Sequence, residues 1–387
     1  MDNSLDVDLL PPESYPAAEN KDISLQIPIS VYKEGTKSGW WERIGIAKIG
    51  LFTASLYLFL LAISLMKSGA RTLAPLTSSL PTTFSGTNCL GLGWIFAYTI
   101  MSGSPVAAAA LTFFDAHVID ELGAFTMITG SRLGASFIVL LLGFLYVLRG
   151  RDRVTSLSLG TLSMTITTTT YLPALIIGVL LLNTGLLDSI QLHCGSMLIS
   201  LVDLIITPII GLASNLLPYW AVFLLGLAVI VVSFNLFDKC LPEMTLKESQ
   251  LGWVSNLVFR PIVMFILGAI VTMISMSVSI SLALLVPLSD RGFIRRENVI
   301  PYIMGANITT FIDTLLAGIL LNNPAAFTVV LVSMFSTTVI SIIILITLYH
   351  PYQRITLNFT NWVTANNLNL VIFMIAIIFI PLILILI

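Results

Sequence analysis

Long apolar stretches alternate with short polar segments along the chain from residue 46 to residue 387. A stretch of about 17 to 25 apolar residues can cross a bilayer as a helix. No alternating strand pattern competes with these stretches, and a helix satisfies its own backbone hydrogen bonds, which lipid cannot do. The pattern therefore predicts an all-α polytopic membrane protein. The predicted spans are residues 46–66, 123–149, 155–182, 219–237, 298–321, 325–349 and 364–387.

Two further apolar stretches, 88–114 and 253–289, are long but interrupted. In the first, Gly103 and Pro105 lie among serines and are expected to break the helix and free backbone groups. In the second, a turn is predicted near Ser277–Ser279. The segment 189–217 contains Asp203 and Pro208, and its pattern is compatible either with folding back or with lying flat.

Composition places the chain outside the soluble proteins. Hydrophobic residues make up 57% of it, charged residues 10%, and the mean hydropathy is +0.98, whereas soluble domains carry roughly 25% charged residues. Residues 1–45 are polar and lack a short hydrophobic region with a cleavage site, so they are predicted to be a disordered or surface-lying tail and not a cleaved signal peptide. Cys89, Cys194 and Cys240 are unclustered, which favours small buried hydrophobes over disulfides or a metal site.

The chain repeats itself at a constant offset of 175 positions. The segment Met101–Ser104 corresponds to Met276–Ser279, and Gly130–Arg132 corresponds to Gly305–Asn307, with 29 residues from the start of one motif to the next in both copies. Paired repeats with small polar residues at their midpoints are typical of secondary transporters. The predicted organisation is a first repeat over 46–182, a linker over 183–218, a second repeat over 219–350 and a C-terminal helix over 351–387.

Charge in the loops predicts that the two repeats have inverted topology. Lysine and arginine in short loops mark the cytoplasmic side, and such residues precede the first span, so the N-terminus is expected in the cytoplasm. The connector after the first serine motif carries Asp115, Asp120 and Glu121, whereas the matching second connector carries arginines. Counting crossings then makes 88–114 a re-entrant hairpin, with 253–289 as its counterpart from the other face. The predicted location is a cell membrane.

The serines at the two predicted turns are candidates for binding a substrate or an ion. Hydroxyls and free helix-terminal amides can replace the water shell of an oxyanion or a cation. The alternative is that each serine is a small packing residue bonded to its own backbone. The candidates are Ser102, Ser104, Ser277 and Ser279.

Three ionisable residues fall inside predicted apolar segments. Arg132, Asp203 and Asp313 each cost roughly 2.5–3.5 kcal/mol to insert, so they are expected to face a cavity or a partner. Arg132 either pairs with an anionic substrate, takes the place of a bound sodium, or forms an internal ion pair with an aspartate. Asp313 and Asp203 either coordinate the coupling ion or serve in such a pair.

These motifs resemble the type II sodium-coupled phosphate cotransporter family, over roughly residues 46–350. In that family each of two inverted repeats carries Gln-Ser-Ser-Ser and, about 29 residues later, Gly-Ala-Asn-Ile-Gly-Thr. The run Gly305–Thr310 matches the second motif closely, and Leu60–Gly69 resembles the helix before the first hairpin. The resemblance implies sodium-coupled symport of inorganic phosphate by alternating access, with Asn307, Thr309 and Thr310 joining the serines and Arg132 at the site.

Departures from the family motif keep other functions open. Met101 and Met276 stand where the family has Gln, and Arg132 stands where it has Asn. One alternative is a proton- or sodium-coupled transporter of another small anion, and another is a membrane sensor or scaffold that does not transport. No enzyme motif is evident. The expected partners are the anion, sodium and the lipid bilayer, with no cofactor and no nucleic acid.

Overall fold

The computed structural model describes residues 46–78, 85–148, 150, 153–190, 196–240, 260–283, 285 and 296–387. Within them every regular element is a helix, and Ile46–Ile387 forms one compact unit. The predicted tail, residues 1–45, lies outside the described residues, as does Cys194. The all-helical prediction is therefore confirmed for the part of the chain that can be described.

The helices of the first half are α1 (Ile46–Ser78), α2 (Gly86–Ile100), α3 (Ser104–Asp115), α4 (Glu121–Ala135), α5 (Phe137–Leu148), α6 (Arg153–Thr184), α7 (Ser196–Leu216) and α8 (Tyr219–Cys240). Those of the second half are α9 (Pro261–Ser275), α10 (Val278–Ala283), α11 (Arg296–Thr309), α12 (Ile312–Leu320), α13 (Pro324–Ile343), α14 (Tyr349–Ala365) and α15 (Asn367–Leu386). A π-helical turn, Ile344–Leu348, joins α13 to α14.

Seven helical segments of the described chain are long and apolar enough to cross a membrane, by length and composition. Each coincides with one of the seven spans predicted from sequence. One is longer than predicted, because α13, the π-helical turn and α14 continue without interruption from Pro324 to Ala365. The segments are Lys48–Arg71, Glu121–Leu148, Ser156–Thr184, Tyr219–Phe237, Arg296–Leu320, Pro324–Ala365 and Asn367–Leu386.

The two interrupted stretches break close to the predicted turns. Helix α2 is followed by its C-cap residue Met101, whose φ of 57° is left-handed, and α9 is followed by Met276, with a φ of 49°. Left-handed backbone costs an ordinary side chain about 1–2 kcal/mol, so surrounding packing must hold both methionines there. The ambiguous segment 189–217 contains a single described helix, α7, with Pro208 inside it.

The sequence repeat is also a repeat of local structure. Helices α2 and α9 begin and end at the same 175-residue offset. A Cβ added to Gly130 would lie 2.1 Å from the Leu90 carbonyl oxygen, and one added to Gly305 would lie 2.0 Å from the carbonyl oxygen of the equivalent residue, Phe265. The close crossing of α2 with α4 is thus reproduced by α9 with α11, and in both pairs only glycine allows it.

Helix α1 packs lengthwise against α8. A Cβ on Gly69 would lie 2.6 Å from the Phe223 backbone nitrogen, and the Ser233 hydroxyl donates to the Ser55 carbonyl at 2.7 Å. This pair of helices matters for the site, since α8 supplies one wall of the cavity described next.

Candidate functional site

A cavity of about 280 Å³ lies where the two serine-bearing turns approach each other. Its volume is below the ~300–1,000 Å³ typical of pockets for drug-sized ligands, which suits a small solute. Residues of both repeats and of α8 line it: Ile100, Met101, Ser102, Gly103, Ser104, Pro105, Arg132, Ala135, Ser136, Ile138, Tyr171, Val231, Phe234, Asn235, Ser277, Val278, Ile280, Asn307 and Thr310.

The first turn places Ser102 and Ser104 on the cavity, both half-buried. Helix α3 begins at Ser104 without a side-chain cap, and Pro105 follows in its first turn, where a missing N–H costs no intrahelical bond. In the second turn the Ser277 hydroxyl accepts a long hydrogen bond of 3.4 Å from the Ile280 amide and also lines the cavity. The two turns therefore present hydroxyl oxygens to one space.

Arg132 extends from α4 into the second repeat and is only 4% exposed. Its Nη1 donates to the hydroxyls of Ser104 and Thr310, at 3.2 Å each. Its Nη2 donates to the Thr314 hydroxyl at 2.5 Å. The guanidinium carbon lies 5.1 Å from the centre of the Phe311 ring, a cation–π contact. Arg132 thus links the first turn to the segment between α11 and α12.

Asp313 forms the ion pair with this arginine. Its Oδ1 lies 3.0 Å from Arg132 Nη2 and also accepts from the Thr314 hydroxyl at 2.8 Å. Asp313 is 2% exposed and is not among the residues that line the 280 Å³ cavity. Instead it borders a void of about 20 Å³ beside Ser55 and Ser233. Of the roles that the sequence allowed for Arg132 and Asp313, the internal ion pair is observed, and Arg132 also lines the cavity.

Asn307 and Thr310, which the family resemblance assigned to the site, both line the cavity. The Asn307 side-chain amide donates to the Thr167 hydroxyl at 3.1 Å, and its backbone carbonyl accepts from the Tyr171 hydroxyl at 2.8 Å. Asn307 occupies the position equivalent to Arg132 in the repeat. Both equivalent residues therefore bond across to the other repeat, the Asn307 amide to α6 and the Arg132 guanidinium to Thr310 and α12.

Of the remaining predicted site residues, only Thr309 has a described side chain, and it does not line the cavity. Thr309 is half-buried, and its hydroxyl donates to the Gly305 carbonyl of its own helix at 3.4 Å. The backbone of Asp203 lies in α7 and that of Ser279 in α10, but both side chains lie outside the described part of the chain.

Helix α6 contains a threonine-rich run, residues 165–170, whose hydroxyls mostly donate to backbone carbonyls of the same helix. Thr165 donates to the Thr161 carbonyl and Thr170 to the Ile166 carbonyl, at 2.7 Å each. Thr167, by contrast, accepts from Asn307. The run thus contains hydroxyls that bond within α6 and one that links α6 to α11.

Three polar residues at the cavity were not singled out from sequence: Ser136, Tyr171 and Asn235. Tyr171 is 1% exposed and directly follows the threonine run. Asn235 is exposed and lies in the apolar helix α8, where an amide is costly in lipid. An amide in an apolar helix could therefore have identified Asn235 from the sequence. Nothing in the sequence distinguished Tyr171 from an interfacial or packing tyrosine.

Comparison of the chain with protein-family models, with curated proteins and with solved structures found no match in any of the three. The resemblance to sodium-coupled phosphate cotransporters therefore rests on the motif residues quoted above.

Proposed function

We propose that the protein is a secondary active transporter and that the cavity between the serine-bearing turns is its substrate site. The observation that carries this proposal is that Ser102 and Ser277, which correspond in the internal repeat, line one cavity together with Arg132. Polar groups on broken helices inside a membrane protein mark a pathway for a polar solute, because lipid cannot satisfy them.

The proposed architecture is a pair of inverted repeats, each with a re-entrant hairpin. The hairpins are α2 with α3 and α9 with the segment from α10 onwards, and the broken helices are α4 with α5 and α11 with α12. Inversion is supported by opposite charge at equivalent positions, since α4 begins with Glu121 and α11 begins with Arg296. On this arrangement the amino terminus is cytoplasmic, the protein spans a cell membrane, and the two turns enter from opposite faces.

Inorganic phosphate moved inward with sodium is the substrate pair that the sequence resemblance favours. The cavity supports this with a guanidinium, which suits an oxyanion, and with hydroxyl oxygens, which suit sodium. Coupling would follow if sodium and phosphate together bind the outward and inward states with different affinity, since a ligand shifts an equilibrium only by that difference.

Transport of another small anion, driven by protons or sodium, is the second candidate function. It is favoured by Met101, which lines the cavity where the family has a glutamine. A thioether offers only a weak acceptor, whereas an amide both donates and accepts. The proposed transporter is not an enzyme and uses no cofactor.

The deciding experiment is uptake of labelled phosphate into proteoliposomes, with an inward sodium gradient and with choline in its place. Sodium-driven accumulation supports the first proposal, and uptake that ignores sodium removes the sodium symport. No uptake of phosphate, sulfate or a carboxylate under sodium or pH gradients would favour a sensor or scaffold.

The site assignment has its own test in a paired substitution. Ser277→Ala with Ser279→Ala should weaken phosphate affinity by about tenfold, the effect of losing hydrogen bonds worth about 1.4 kcal/mol. Ser333→Ala with Ser336→Ala is the matched control, because those buried hydroxyls bond to the backbone of their own helix and do not line the cavity. If both double variants bind phosphate with equal affinity, the second turn is not part of the substrate site.

A further inference from the structure

The charges around the cavity cancel. Arg132 is the charged residue among the described side chains that line it, and the Asp313 carboxylate lies directly behind, 3.0 Å from Nη2. The other polar lining groups are hydroxyls and amides, which carry no net charge. A solute entering the cavity therefore meets a guanidinium whose positive charge is already balanced.

The guanidinium has one nitrogen at the cavity wall and the other against the carboxylate behind it. Nη2 is held by Asp313 and Thr314, whereas Nη1 points to the hydroxyls of Ser104 and Thr310 at the cavity wall. An anion can take over the Nη1 contacts without displacing Asp313. Once it does, two negative charges share one positive charge in a space bounded by apolar helices.

An uncompensated charge in such a space is unfavourable, because removing an ion from water costs several kcal/mol even after relaxation. A monovalent cation bound beside the anion removes the excess. The hydroxyl oxygens of Ser102 and Ser277 and the side chain of Asn235 lie around the same cavity and are suitable ligands for sodium. A proton taken up by the anion itself would remove the same excess charge.

We propose that the cavity binds its anion only together with monovalent cations that cancel the anion's charge, and that Asp313 enforces this by neutralising Arg132. The cation that binds with the anion carries one positive charge and is either a sodium ion or a proton. This inference rests on the proposed function, because it assigns a small anion to the same cavity. It adds that the coupling ion is required for anion binding itself, and that one carboxylate sets how many are required.

The test is phosphate binding to the detergent-purified protein, measured by calorimetry while sodium is varied at constant pH and while pH is varied at constant sodium. The slope of the logarithm of the association constant against the logarithm of cation concentration counts the cations taken up. Asp313→Asn removes one negative charge and keeps the shape of the side chain. It should lower that slope by about one for the cation that is used, and phosphate should bind more tightly when that cation is scarce.

A double variant separates charge from the loss of hydrogen bonds. Arg132→Gln with Asp313→Asn returns the cavity to zero net charge, so the slope should regain its wild-type value although phosphate binds more weakly. Asp115→Asn is the matched control. It removes the carboxylate of the Lys67–Asp115 ion pair, which does not line the cavity, and should leave the slope unchanged.

The inference is overturned if Asp313→Asn has the wild-type slope. It is also overturned if the slope of the double variant stays as low as that of Asp313→Asn. Phosphate binding by the wild-type protein that is independent of both sodium and pH overturns it as well. Cation-linked binding without any uptake into proteoliposomes overturns the transport function alone and leaves the charge requirement standing.

Discussion

Arg132 Nη2 lies 3.0 Å from Asp313 Oδ1, and this ion pair joins two buried residues that are 181 positions apart in the chain. Arg132 belongs to α4 of the first repeat and Asp313 to α12 of the second. The contact therefore ties together the broken helices of both repeats. It also orients the guanidinium at the cavity, so that stability and the proposed anion binding would depend on the same pair.

Removing one partner of the pair should destabilise the protein strongly. Asp313→Leu leaves Arg132 buried without its counter-charge, and such losses cost about 3–5 kcal/mol. Asp313→Asn should cost less, because its amide oxygen still accepts from Nη2. Thermal unfolding in detergent measures both. Arg132→Met combined with Asp313→Leu should recover most of the loss, and a double variant as unstable as the single one contradicts this prediction.

The second ion pair provides an internal comparison. Lys67 Nζ lies 2.9 Å from Asp115 Oδ2, but the lysine side chain is 28% exposed. Partly exposed pairs are screened and typically contribute about 0.2–1 kcal/mol. Asp115→Asn should therefore lower the unfolding temperature much less than Asp313→Leu. A loss of equal size would mean that the Lys67 pair is desolvated to the same degree.

Alanine at the glycines of the two helix crossings should be poorly tolerated, and to a similar extent in both repeats. In Gly130→Ala and Gly305→Ala the new Cβ would lie within 2.1 Å of a backbone carbonyl oxygen, and overpacking of this kind costs about 1–3 kcal/mol or more. Gly211→Ala is the control, since nothing lies within 4 Å of its added Cβ. Thermal unfolding of all three variants, with Gly211→Ala expected to match the wild type, is the measurement.

Tyr171→Phe should affect both stability and the substrate. It removes the donor to the Asn307 carbonyl, 2.8 Å away, which leaves a buried acceptor unsatisfied at a cost of about 1–3 kcal/mol. Because Asn307 lines the cavity, phosphate should also bind more weakly. Tyr98→Phe is the matched control, as its hydroxyl donates to the Ile377 carbonyl at 3.0 Å away from the cavity. Equal phosphate affinity in both variants would separate Tyr171 from the site.

Cysteine labelling should map the access to the cavity. Met101 lines it and is 39% exposed, whereas Leu111 in α3 is fully buried. In a background with the native cysteines replaced by serine, Met101→Cys should react with a small thiol reagent and Leu111→Cys should not. Phosphate with its coupling cation should slow the reaction at position 101. Protection that is absent at saturating phosphate argues against this cavity as the phosphate site.

Much of the fold was predictable because it depends on local composition. Seven spans and both interrupted stretches follow from apolar length and from residues such as Gly103 and Pro105 that break a helix. The side chains at the cavity were predictable in part. Ser102 and Ser277 were identified by the internal repeat and Asn307 by the resemblance to the family motif. Tyr171 and Asn235 were not identified, because neither has a counterpart in the repeat that marks it.

The sequence by itself thus determined that the chain is helical, where its long apolar helices lie and which turns correspond. These properties are local, because each apolar segment must form its backbone hydrogen bonds within itself where water is absent. Only the tertiary structure decided that Arg132 pairs with Asp313 and that Asp313 lies behind the cavity wall. Contacts between residues so distant in sequence depend on how the helix crossings at glycine orient α4 and α12. That orientation cannot be derived from the charges or from their spacing along the chain.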